Sequence, residues 1–546
     1  MGLKILMCCN AYPPNFIGGA ELVAHEHAKI LKNLGHDVAI FAGDGHIGGK
    51  RYSIKQDTYD GLPVYRISLT PQDYQPEFIN FTHKEVEENF KCILDEFSPD
   101  IVHLHNIIGL SVGLIHIAKC RGIKTVLTAH DHWGFCYKNT ILKHEEEVCN
   151  DWTKCDECMP FISDNNCSSI PIRMRRDFFA IQFRDVDAFI SPSIYLADAY
   201  IRAGMPKEKF NIVWNGIDVT QFSNITKKSM DNCIRFTYIG YFGRHKGIHT
   251  LINALPFIND KDKFKVNLIG TGELFDSYRR QVKETGVDSY VKFWGRIKNI
   301  EDAYRETDVF ILPSIWPENQ PVTITEAMAS KTPVIASDIG GNPELVEDGV
   351  TGFLFKTGDE RDLAEKMSHF ISNPDIIKKF GENAYNKIKS NTLENRIAEI
   401  LQVYDGLGPN EYGLEQKDFL IVCVGDCIDS CCLQAISLIS NRLHGKSCRF
   451  VMSDWLQEDQ FNSVRLLWIV GNETKQNEVT AGLACKIPLL VPENNEALKK
   501  QCIDGKCGLY YKDATDAMGC IEYLIDHEET RAALAQNRFI YHSINI

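Results

Sequence analysis

Short apolar runs alternate with segments of helical apolar spacing along most of this chain. Such alternation is typical of parallel sheets, because parallel strands need crossover connections, which are usually helices. These runs form two series along the chain. Between them lies Asn-Gly-Ile-Asp at residues 215–218, a sequence typical of turns. We therefore predict two α/β domains, residues 1–205 and 206–405, with a hinge at 205–225. The first series is 4–9, 21–33, 38–42, 101–104, 112–119 and 125–129, and the second is 236–240, 248–255, 265–269, 291–293, 309–312 and 334–336.

The last part of the chain repeats the second half of the second series. Ser-Lys-Thr-Pro-Val-Ile at 330–335 aligns with Cys-Lys-Ile-Pro-Leu-Leu at 485–490, and the Asp-Gly pair at 348 aligns with the pair at 504. The stretch 406–417 is rich in glycine and polar residues and loses regular apolar spacing. We predict a linker at 406–417, followed by a degenerate Rossmann-like repeat at 418–546.

Size and composition narrow the class of protein. A chain of 546 residues exceeds the roughly 250–300 residues at which one core stops growing, so several domains are expected. A formal charge of −14 argues against nucleic acid as a partner. No window reaches the ~18–20 apolar residues that span a bilayer, and the N-terminus has no signal-peptide pattern. We predict a cytoplasmic protein, and peripheral contact with the inner face of a membrane stays open.

Candidate binding residues follow the strands, because ligands of open parallel sheets bind beyond the carboxyl ends of the strands. Gly18 and Gly19 lie between the first strand and the first helix, where amides and a helix N-terminus can approach a phosphate or sugar. His130 follows the predicted strand at 125–129 and is expected to project into the same cleft. A plain turn and a core histidine are the structural alternatives.

Two glycine loops open the second domain. The loop at 240–247 places Arg244 and Lys246 between a strand and a helix, an arrangement that suits a diphosphate. Gly272 lies in a second glycine turn, where a nucleotide can lie flat against the backbone. The alternatives are a basic exposed loop and an ordinary turn.

The most informative loop carries two carboxylates, Glu318 and Glu326. It runs into a helix predicted at 324–330, so its amides and the helix dipole are expected to face a diphosphate while the carboxylates accept hydrogen bonds from sugar hydroxyls. Thr323 and Glu326 also fit the capping-box pattern, which is the structural alternative for Glu326. A capping box leaves Glu318 unexplained, so we favour a binding loop. Its candidate residues are Glu318, Asn319, Gln320, Pro321, Val322, Thr323 and Glu326.

Six motifs occur in a recognisable order. They are Gly-Gly-Ala-Glu at 18–21, His-Asp at 130–131, Asn-Gly-Ile-Asp at 215–218, Lys-Gly at 246–247, Glu-x7-Glu at 318–326 and Gly-Gly-Asn-Pro-Glu at 340–344. With them the chain closely resembles the family 4 retaining glycosyltransferases over residues 3–405. The resemblance implies an α/β protein of GT-B fold, with two facing Rossmann-like domains and, in this chain, a third, partial α/β domain. The first domain is then expected to bind the acceptor and the second a nucleotide-diphosphate sugar, with a final helix crossing back.

The resemblance also implies roles for single residues. Glu326 is expected to hold the ribose hydroxyls, Glu318 to contact the donor sugar, and Lys246 to bind the diphosphate. His130 is expected to touch the transferred sugar, and Gly19 belongs to a loop that approaches the phosphates. His130 and Glu318 are therefore the predicted catalytic residues.

The mechanism that the resemblance implies needs no divalent metal. Cations and a helix N-terminus balance the charge of the departing diphosphate, which stabilises the leaving group. No side chain is an obvious covalent nucleophile, and Glu318 and Glu326 are not a glycosidase pair. The sequence departs from the family at Tyr241, where members often carry arginine, and Arg244 is the candidate substitute.

Residues 136–167 form a cysteine-rich insertion. Cys155 and Cys158 form a Cys-x-x-Cys pair, and Cys136 and Cys149 supply two further thiols, which together fit a structural zinc site. The chain has 19 cysteines and no secretory signal, so unliganded reduced thiols are the alternative. A zinc ion would order this loop over the acceptor cleft without taking part in transfer.

The C-terminal repeat lacks two of the predicted binding groups. In the alignment Glu318 falls on Glu473, Glu326 on Ala481 and Lys246 near Cys431. We predict that this domain is catalytically silent and serves packing or the binding of a protein partner. Two other classes stay open for the chain, a sugar-nucleotide epimerase or phosphorylase and a non-catalytic scaffold.

Overall fold

The computed structural model describes most of the chain, which forms three large β-sheets with helices packed on them. None of the described helices is long and apolar enough to cross a membrane. The described residues are 2–15, 18–46, 48–143, 147–164, 169–228, 233–408, 418–425, 430–442, 448–470, 479 and 485–545.

The first sheet has eight strands in the order β10-β9-β6-β5-β1-β2-β4-β3, and only β3 runs antiparallel to its neighbour. Its strand β10 lies beyond residue 205, so the first domain is longer than predicted. The strands are β1 Lys4–Cys9, β2 Asp37–Asp44, β3 Ile54–Tyr59, β4 Leu62–Ser68, β5 Ile101–Leu104, β6 Lys124–Thr128, β9 Ala188–Ser191 and β10 Phe210–Ile212, with a separate hairpin β7 Phe161–Ser163 and β8 Ser169–Pro171. The helices are α1 Gly19–Asn33, α2 Lys84–Phe97, α3 Gly113–Cys120, α4 Ile172–Gln182, α5 Ile194–Arg202 and α6 Val219–Ser223.

The second sheet is parallel, with six strands in the order β13-β12-β11-β14-β15-β16. The four central strands are almost entirely buried, as expected of a sheet covered by helices on both faces, whereas the edge strands β13 and β16 are only partly buried. The six strands are β11 Ile234–Ile239, β12 Phe264–Ile269, β13 Val291–Gly295, β14 Val309–Leu312, β15 Val334–Ser337 and β16 Gly352–Phe355. The helices are α7 Ile248–Ala254, α8 Phe275–Glu284, α9 Ile300–Arg305, α10 Val322–Ala329, α11 Asn342–Leu345, α12 Glu360–Ser372, α13 Asp375–Ile388 and α14 Leu393–Asp405.

The third sheet repeats five strands of the second. Its order β18-β17-β19-β20-β21 matches β12-β11-β14-β15-β16 when β17 is placed on β11. Lys331 and Lys486, which are aligned, both have positive φ, 57° and 58°. The third sheet thus has the strand order that the predicted repeat requires. The strands are β17 Phe419–Val424, β18 Cys448–Met452, β19 Val464–Ile469, β20 Leu489–Pro492 and β21 Gly508–Tyr511, and the helices are α15 Ser430–Arg442, α16 Glu496–Gly505, α17 Ala514–Asp526 and α18 Glu528–Asn545.

Most of the predicted linker at 406–417 and part of the repeat alignment lie outside the described residues. These positions are 409–417 and the aligned residues Glu473 and Ala481. Cys431, which falls near Lys246 in the alignment, lies on α15.

The first and third sheets share one hydrophobic core. The ring of Trp455 packs edge-on against Phe81, with ring centroids 5.3 Å apart, and lies 5.5 Å from the ring of Phe178 on α4. The Asp177 carboxylate, also on α4, accepts a hydrogen bond of 3.1 Å from the amide of Phe450 on β18. The repeat therefore packs on the side of the first domain.

The chain passes between the first two domains twice, and the two passages lie side by side. The backbone oxygen of Asn215 accepts hydrogen bonds from the side chains of Gln320 at 3.3 Å and Asn391 at 2.9 Å. Ile217 forms a parallel β-bridge with Thr392. Helix α14 then returns to the first domain, and its Tyr404 hydroxyl lies 2.6 Å from Nδ1 of the buried His103. The predicted crossing helix is present.

Gly247 shapes the loop between β11 and α7. Its φ is 68°, and a β-carbon there would lie 1.8 Å from the carbonyl oxygen of Pro313 after β14. Only glycine fits this close approach without a backbone shift. The two loops that follow the neighbouring strands β11 and β14 are thereby held in contact.

We predict that Gly247→Ala destabilises the second domain more than Gly286→Ala does. Both glycines have similar φ, 68° and 69°, but a β-carbon on Gly286 would meet no described atom within 4 Å. The alanine at 286 should therefore cost only the left-handed backbone, about 1–2 kcal/mol, whereas the alanine at 247 adds a backbone clash. Differential scanning calorimetry of the full chain measures both. Equal decreases in the unfolding temperature would contradict the role assigned to the close contact.

Candidate functional site

The loop between β14 and α10, residues 313–321, holds Glu318 in a buried and charged contact. The Glu318 carboxylate accepts hydrogen bonds from Lys246 Nζ at 2.7 Å and from the Ser314 hydroxyl at 2.6 Å. Burial alone would raise its pKa, but the Lys246 ammonium and these hydrogen bonds hold the pKa below its usual value. Glu318 is therefore an ionised, preoriented carboxylate.

Lys246 reaches Glu318 because the loop after β11 makes a single helical turn, Arg244–Lys246, directly before Gly247. Its ammonium also lies 4.9 Å from the centroid of the Trp316 ring. The side chain of Arg244 is exposed at the start of the turn. The predicted pair of cations is thus present at the carboxyl edge of the second sheet.

Gly272 lies where the loop after β12 crosses the loop after β11. A β-carbon on Gly272 would approach the backbone nitrogen of Phe242 to 2.6 Å. Close packing of the two loops thus accounts for this glycine, in agreement with the alternative of an ordinary turn. It lies at the same sheet edge as Lys246.

Glu326 is not part of a capping box. Helix α10 begins at Val322, so Pro321 is the N-cap and Thr323 already lies inside the helix. The predicted start at residue 324 is wrong: the helix begins directly after Pro321, whose missing N–H costs nothing at a helix start, where the first amides have no intrahelical partner. The Glu326 carboxylate instead accepts a hydrogen bond of 2.8 Å from the Tyr304 hydroxyl.

The environment of Glu326 is opposite to that of Glu318. Burial raises the pKa of Glu326 to about 7, and the hydrogen bond from Tyr304 offsets this only in part. Burial disfavours the ionised form of a carboxyl group that has no neighbouring cation. An incoming pair of hydroxyl groups would stabilise that ionised form.

Asn319 and Gln320 point towards the first domain and the interdomain passage. The Asn319 amide donates a hydrogen bond of 2.7 Å to the carbonyl oxygen of His130. The Gln320 side chain holds both the amide and the carbonyl of Asn215. These two predicted binding residues therefore position the loop through their side chains.

A turn at residues 340–344 supports this loop and reaches the first domain. The amide of Gly341 donates 2.6 Å to the carbonyl of Glu318, and a β-carbon on Gly341 would lie 1.8 Å from the Asn319 oxygen. The Glu344 carboxylate accepts from the amides of Ile194 and Tyr195 at the start of α5, at 2.9 and 2.8 Å. The second domain thus caps a helix of the first, as a carboxylate at a helix N-terminus does.

His130 lies in a stack of buried histidines in the first domain. Its Nε2 is 2.8 Å from Nδ1 of His105, and the two rings stack with centroids 5.1 Å apart. Burial, with a smaller contribution from the nearby His27, lowers the pKa of His130 to about 3. The ring is therefore neutral at physiological pH.

Asp131 follows His130 and carries a perturbed carboxyl. Burial raises its pKa to about 6, although its carboxylate accepts 2.7 Å from the amide of Trp133. The charge of Glu21, at the start of α1, raises this pKa as well. The Asp131 carboxyl after β6 and the Glu21 carboxylate in the first turn of α1 are thus close enough for their charges to interact.

Gly18 and Gly19 lie at the start of α1. The amide of Gly18 donates 2.8 Å to the Glu21 carboxylate, which caps the helix. A β-carbon on Gly19 would meet no described atom within 4 Å. The glycine pair is therefore a helix start, and no described residue fills the space beside Gly19.

Three residues of the candidate site were not predicted from the sequence. Ser314 and Tyr304 each bind one of the two carboxylates, and His105 stacks on His130. Ser314 and His105 do follow strands β14 and β5, which is the signal that could have found them. Tyr304 lies on a helix and has no such signal.

The predicted zinc ligands do not form a metal site in the described part of the chain. Sulfurs around one zinc lie roughly 3.8 Å apart, since Zn–S bonds are about 2.3 Å. Among the described residues, no three of Cys136, Cys149, Cys155 and Cys158 have their ligand atoms within 4.8 Å of one another. Instead the Cys155 thiol donates 3.1 Å to the Trp152 carbonyl. Burial and the nearby Cys136 thiol raise the pKa of Cys155 to about 12, so the thiols lie near one another without the close spacing of a bound zinc, and the zinc site stays a prediction.

Two family models match adjoining parts of the chain. The model described as Glycosyltransferase Family 4 matches residues 17–221, and the model described as Glycosyl transferases group 1 matches residues 221–387. The uncharacterized glycosyltransferase MJ1178 of Methanocaldococcus jannaschii is 30% identical over 407 residues, which cover 74% of this chain and 99% of that protein. The putative glycosyltransferase EpsD of Bacillus subtilis is 22% identical over 384 residues, or 69% of this chain and 91% of that protein.

Solved structures show the same fold over the first three quarters of the chain. HepE of Anabaena, in complex with UDP, superposes with a TM-score of 0.54 at 19% identity and covers 74% of this chain and all of that one. Sucrose-phosphate synthase from Thermosynechococcus elongatus has a TM-score of 0.57 at 18% identity, with coverage of 74% and 99%. The chain therefore belongs to the family 4 glycosyltransferases of group 1, with a GT-B fold to which a third α/β domain is added.

Proposed function

We propose that the second domain binds a nucleotide-diphosphate sugar and that its sugar is transferred, with retention of anomeric configuration, to an acceptor held by the first domain. The observation that carries this proposal is the contrast between Glu318 and Glu326 at the start of α10. One carboxylate is already paired with Lys246, whereas burial raises the pKa of the other to about 7. A ribose supplies hydroxyl groups that can donate hydrogen bonds to the second one.

The diphosphate is assigned to the start of α10 and the neighbouring cations. Pro321 has no side-chain acceptor for the first turn of α10, so the positive end of the helix dipole suits an anion. Lys246 and Arg244 lie on the adjoining loop and would add positive charge. Together these groups would stabilise the departing diphosphate without a divalent metal.

The sugar is assigned to the space between Glu318 and His130. The amide of Asn319 already bonds to the His130 carbonyl, so the two domains meet at this point. A neutral imidazole can donate to or accept from a sugar hydroxyl. Glu318 is ion-paired with Lys246, and we assign it to hydroxyl binding rather than to covalent attack.

The acceptor is assigned to the edge of the first sheet, near Gly19 and Asp131. A glycan, a lipid-linked glycan or a small molecule would each fit such an open edge, and peripheral contact with a membrane would suit the second. The third domain lacks counterparts of Glu326 and Lys246, which align with Ala481 and near Cys431, so we propose that it is catalytically silent and available to a protein partner.

Nucleotide specificity is open to direct measurement. A ligand that binds only the folded state raises the unfolding temperature according to its concentration and affinity. UDP-, GDP- and ADP-sugars should be compared with the free diphosphates by thermal shift. UDP-sugars head the panel because HepE structures contain UDP and UDP-glucose. Stabilisation by none of them would contradict a nucleotide-sugar site.

We predict that Glu326→Ala lowers donor affinity or kcat/KM at least tenfold, which is about 1.4 kcal/mol, because the ribose hydroxyls lose their acceptor. Isothermal titration calorimetry and initial rates measure the effect. Glu284→Ala is the matched control, since Glu284 is an exposed glutamate on α8 of the same domain. Wild-type activity in a folded Glu326→Ala protein would refute the assignment.

We predict that donor affinity rises with pH through about 7. The ribose requires the Glu326 carboxylate, and its pKa of about 7 means that the free protein holds a proton there at lower pH. Well below this pKa, affinity should fall up to tenfold per pH unit, because the proton must be removed on binding. Glu326→Gln should bind weakly with a flat profile. The same slope in both proteins would assign the titration to another group.

We predict that Lys246→Ala in the full chain lowers kcat/KM by roughly 10²–10³-fold, because one of the groups that stabilise the departing diphosphate is lost while Arg244 and the start of α10 remain. The substitution removes the cation beside the diphosphate, and a silent third domain cannot compensate. Lys261→Ala, a substitution of a lysine in a surface turn of the same domain, is the control. Residual turnover that Glu326→Ala does not reduce further would indicate a second active site.

A further inference from the structure

Three side chains that suit a metal ion meet where the third domain packs on the first. Nε2 of His116 lies 3.2 Å from the sulfur of Cys120 and 3.0 Å from a carboxylate oxygen of Asp459. The same sulfur and carboxylate oxygen are 3.0 Å apart. Each residue thus offers one ligand atom to a common point.

The fold brings these residues together from distant parts of the chain. His116 and Cys120 are four residues apart on α3, so they lie on one face of the helix. Asp459 lies in the short helical segment Glu458–Ser463, between β18 and β19 of the third sheet. The cluster therefore bridges the two domains.

His116 is oriented as metal-binding histidines usually are. Its other ring nitrogen, Nδ1, lies 2.5 Å from the carboxylate of Asp185. A carboxylate on the second nitrogen fixes the ring and raises its basicity as a ligand. Nε2 is thereby directed at Cys120 and Asp459.

The set of ligand atoms favours zinc. Imidazole nitrogen, thiolate sulfur and carboxylate oxygen are its common protein ligands, whereas calcium and magnesium prefer oxygen alone. Three protein ligands leave one position for water, and the exposed thiol of Cys120 makes that position accessible. We propose that His116, Cys120 and Asp459 bind a structural zinc ion that links the third domain to the first.

The zinc ion would add a link to an interface that already has direct hydrogen bonds between the first and third domains. Gln457 donates 2.6 Å to the Glu87 carboxylate, and Arg173 donates 2.8 Å to the Cys448 carbonyl. A metal link between α3 and the third domain closes a loop of several hundred residues, which restricts the unfolded chain. Its role is structural, and it lies outside the proposed transfer site.

An ion pair is the competing explanation of the same geometry. Burial would lower the pKa of His116, but Asp185 and Cys120 raise it to about 10, so in the absence of metal the ring is a cation between two carboxylates. Zinc would replace protons on the ring and the thiol. Metal content distinguishes the two explanations.

The test is the zinc content of the purified full chain, measured by mass spectrometry after dialysis against zinc-free buffer. Cys120→Ser and Asp459→Asn should each hold one zinc per chain fewer than the wild type. Both side chains are substantially exposed, so the fold should be kept, and circular dichroism checks this. Cys92→Ser, which alters an exposed cysteine on α2, should keep the wild-type content.

Two further variants, Asp185→Asn and Cys155→Ser, test the orientation of the His116 ring and the location of the ion. Asp185→Asn should weaken zinc binding roughly 10–100-fold, as removal of outer-shell partners does. Zinc added to chelator-treated wild type should raise the unfolding temperature, and Cys120→Ser should abolish that rise. Equal zinc content in wild type, Cys120→Ser and Asp459→Asn would overturn the proposal. So would loss of the zinc on Cys155→Ser alone, which would place it in the cysteine-rich insertion.

Discussion

The backbone of Asn215 is the point on which the two-domain arrangement depends. Gln320 from the loop after β14 and Asn391 from the start of the return passage both hold its carbonyl oxygen. Because both passages of the chain run here, one set of hydrogen bonds fixes the domain connection and the position of the Glu318 loop together. Asn319, the neighbour of Gln320, then reaches the carbonyl of His130 in the first domain. The position of the loop at the cleft is thus linked to the domain connection at Asn215 through a continuous set of hydrogen bonds.

Two glutamates of one loop and helix have opposite environments, and this division underlies the proposed chemistry. Glu318 has a cation and a hydroxyl within hydrogen-bonding distance, so it stays ionised without a ligand. Glu326 has the Tyr304 hydroxyl and a raised pKa, so a ligand would complete its environment. Burial acts on both, and the neighbouring charge decides the outcome.

Most strands and the order of the motifs could be predicted from sequence because apolar periodicity and strand-end polar residues are local signals. The start of α10 was misplaced because a Thr-x-x-Glu pattern can occur inside a helix that Pro321 opens. Tyr304, and the approach of Asp459 to His116, depend on tertiary packing that no local pattern records. The zinc prediction for the insertion rested on a count of thiols, and spacing along the chain does not fix the distances between their sulfurs.

The shared core of the first and third sheets determines which part of the molecule can move. Domain opening requires separation of the Asn319 and Glu344 contacts, whereas the third domain stays with the first because Trp455 is buried between Phe81 and Phe178. The first and third domains therefore form one body, and any opening of the cleft would move the second domain relative to both of them. A tether attached to the third domain would therefore also anchor the first domain and would leave such a movement of the second domain unhindered.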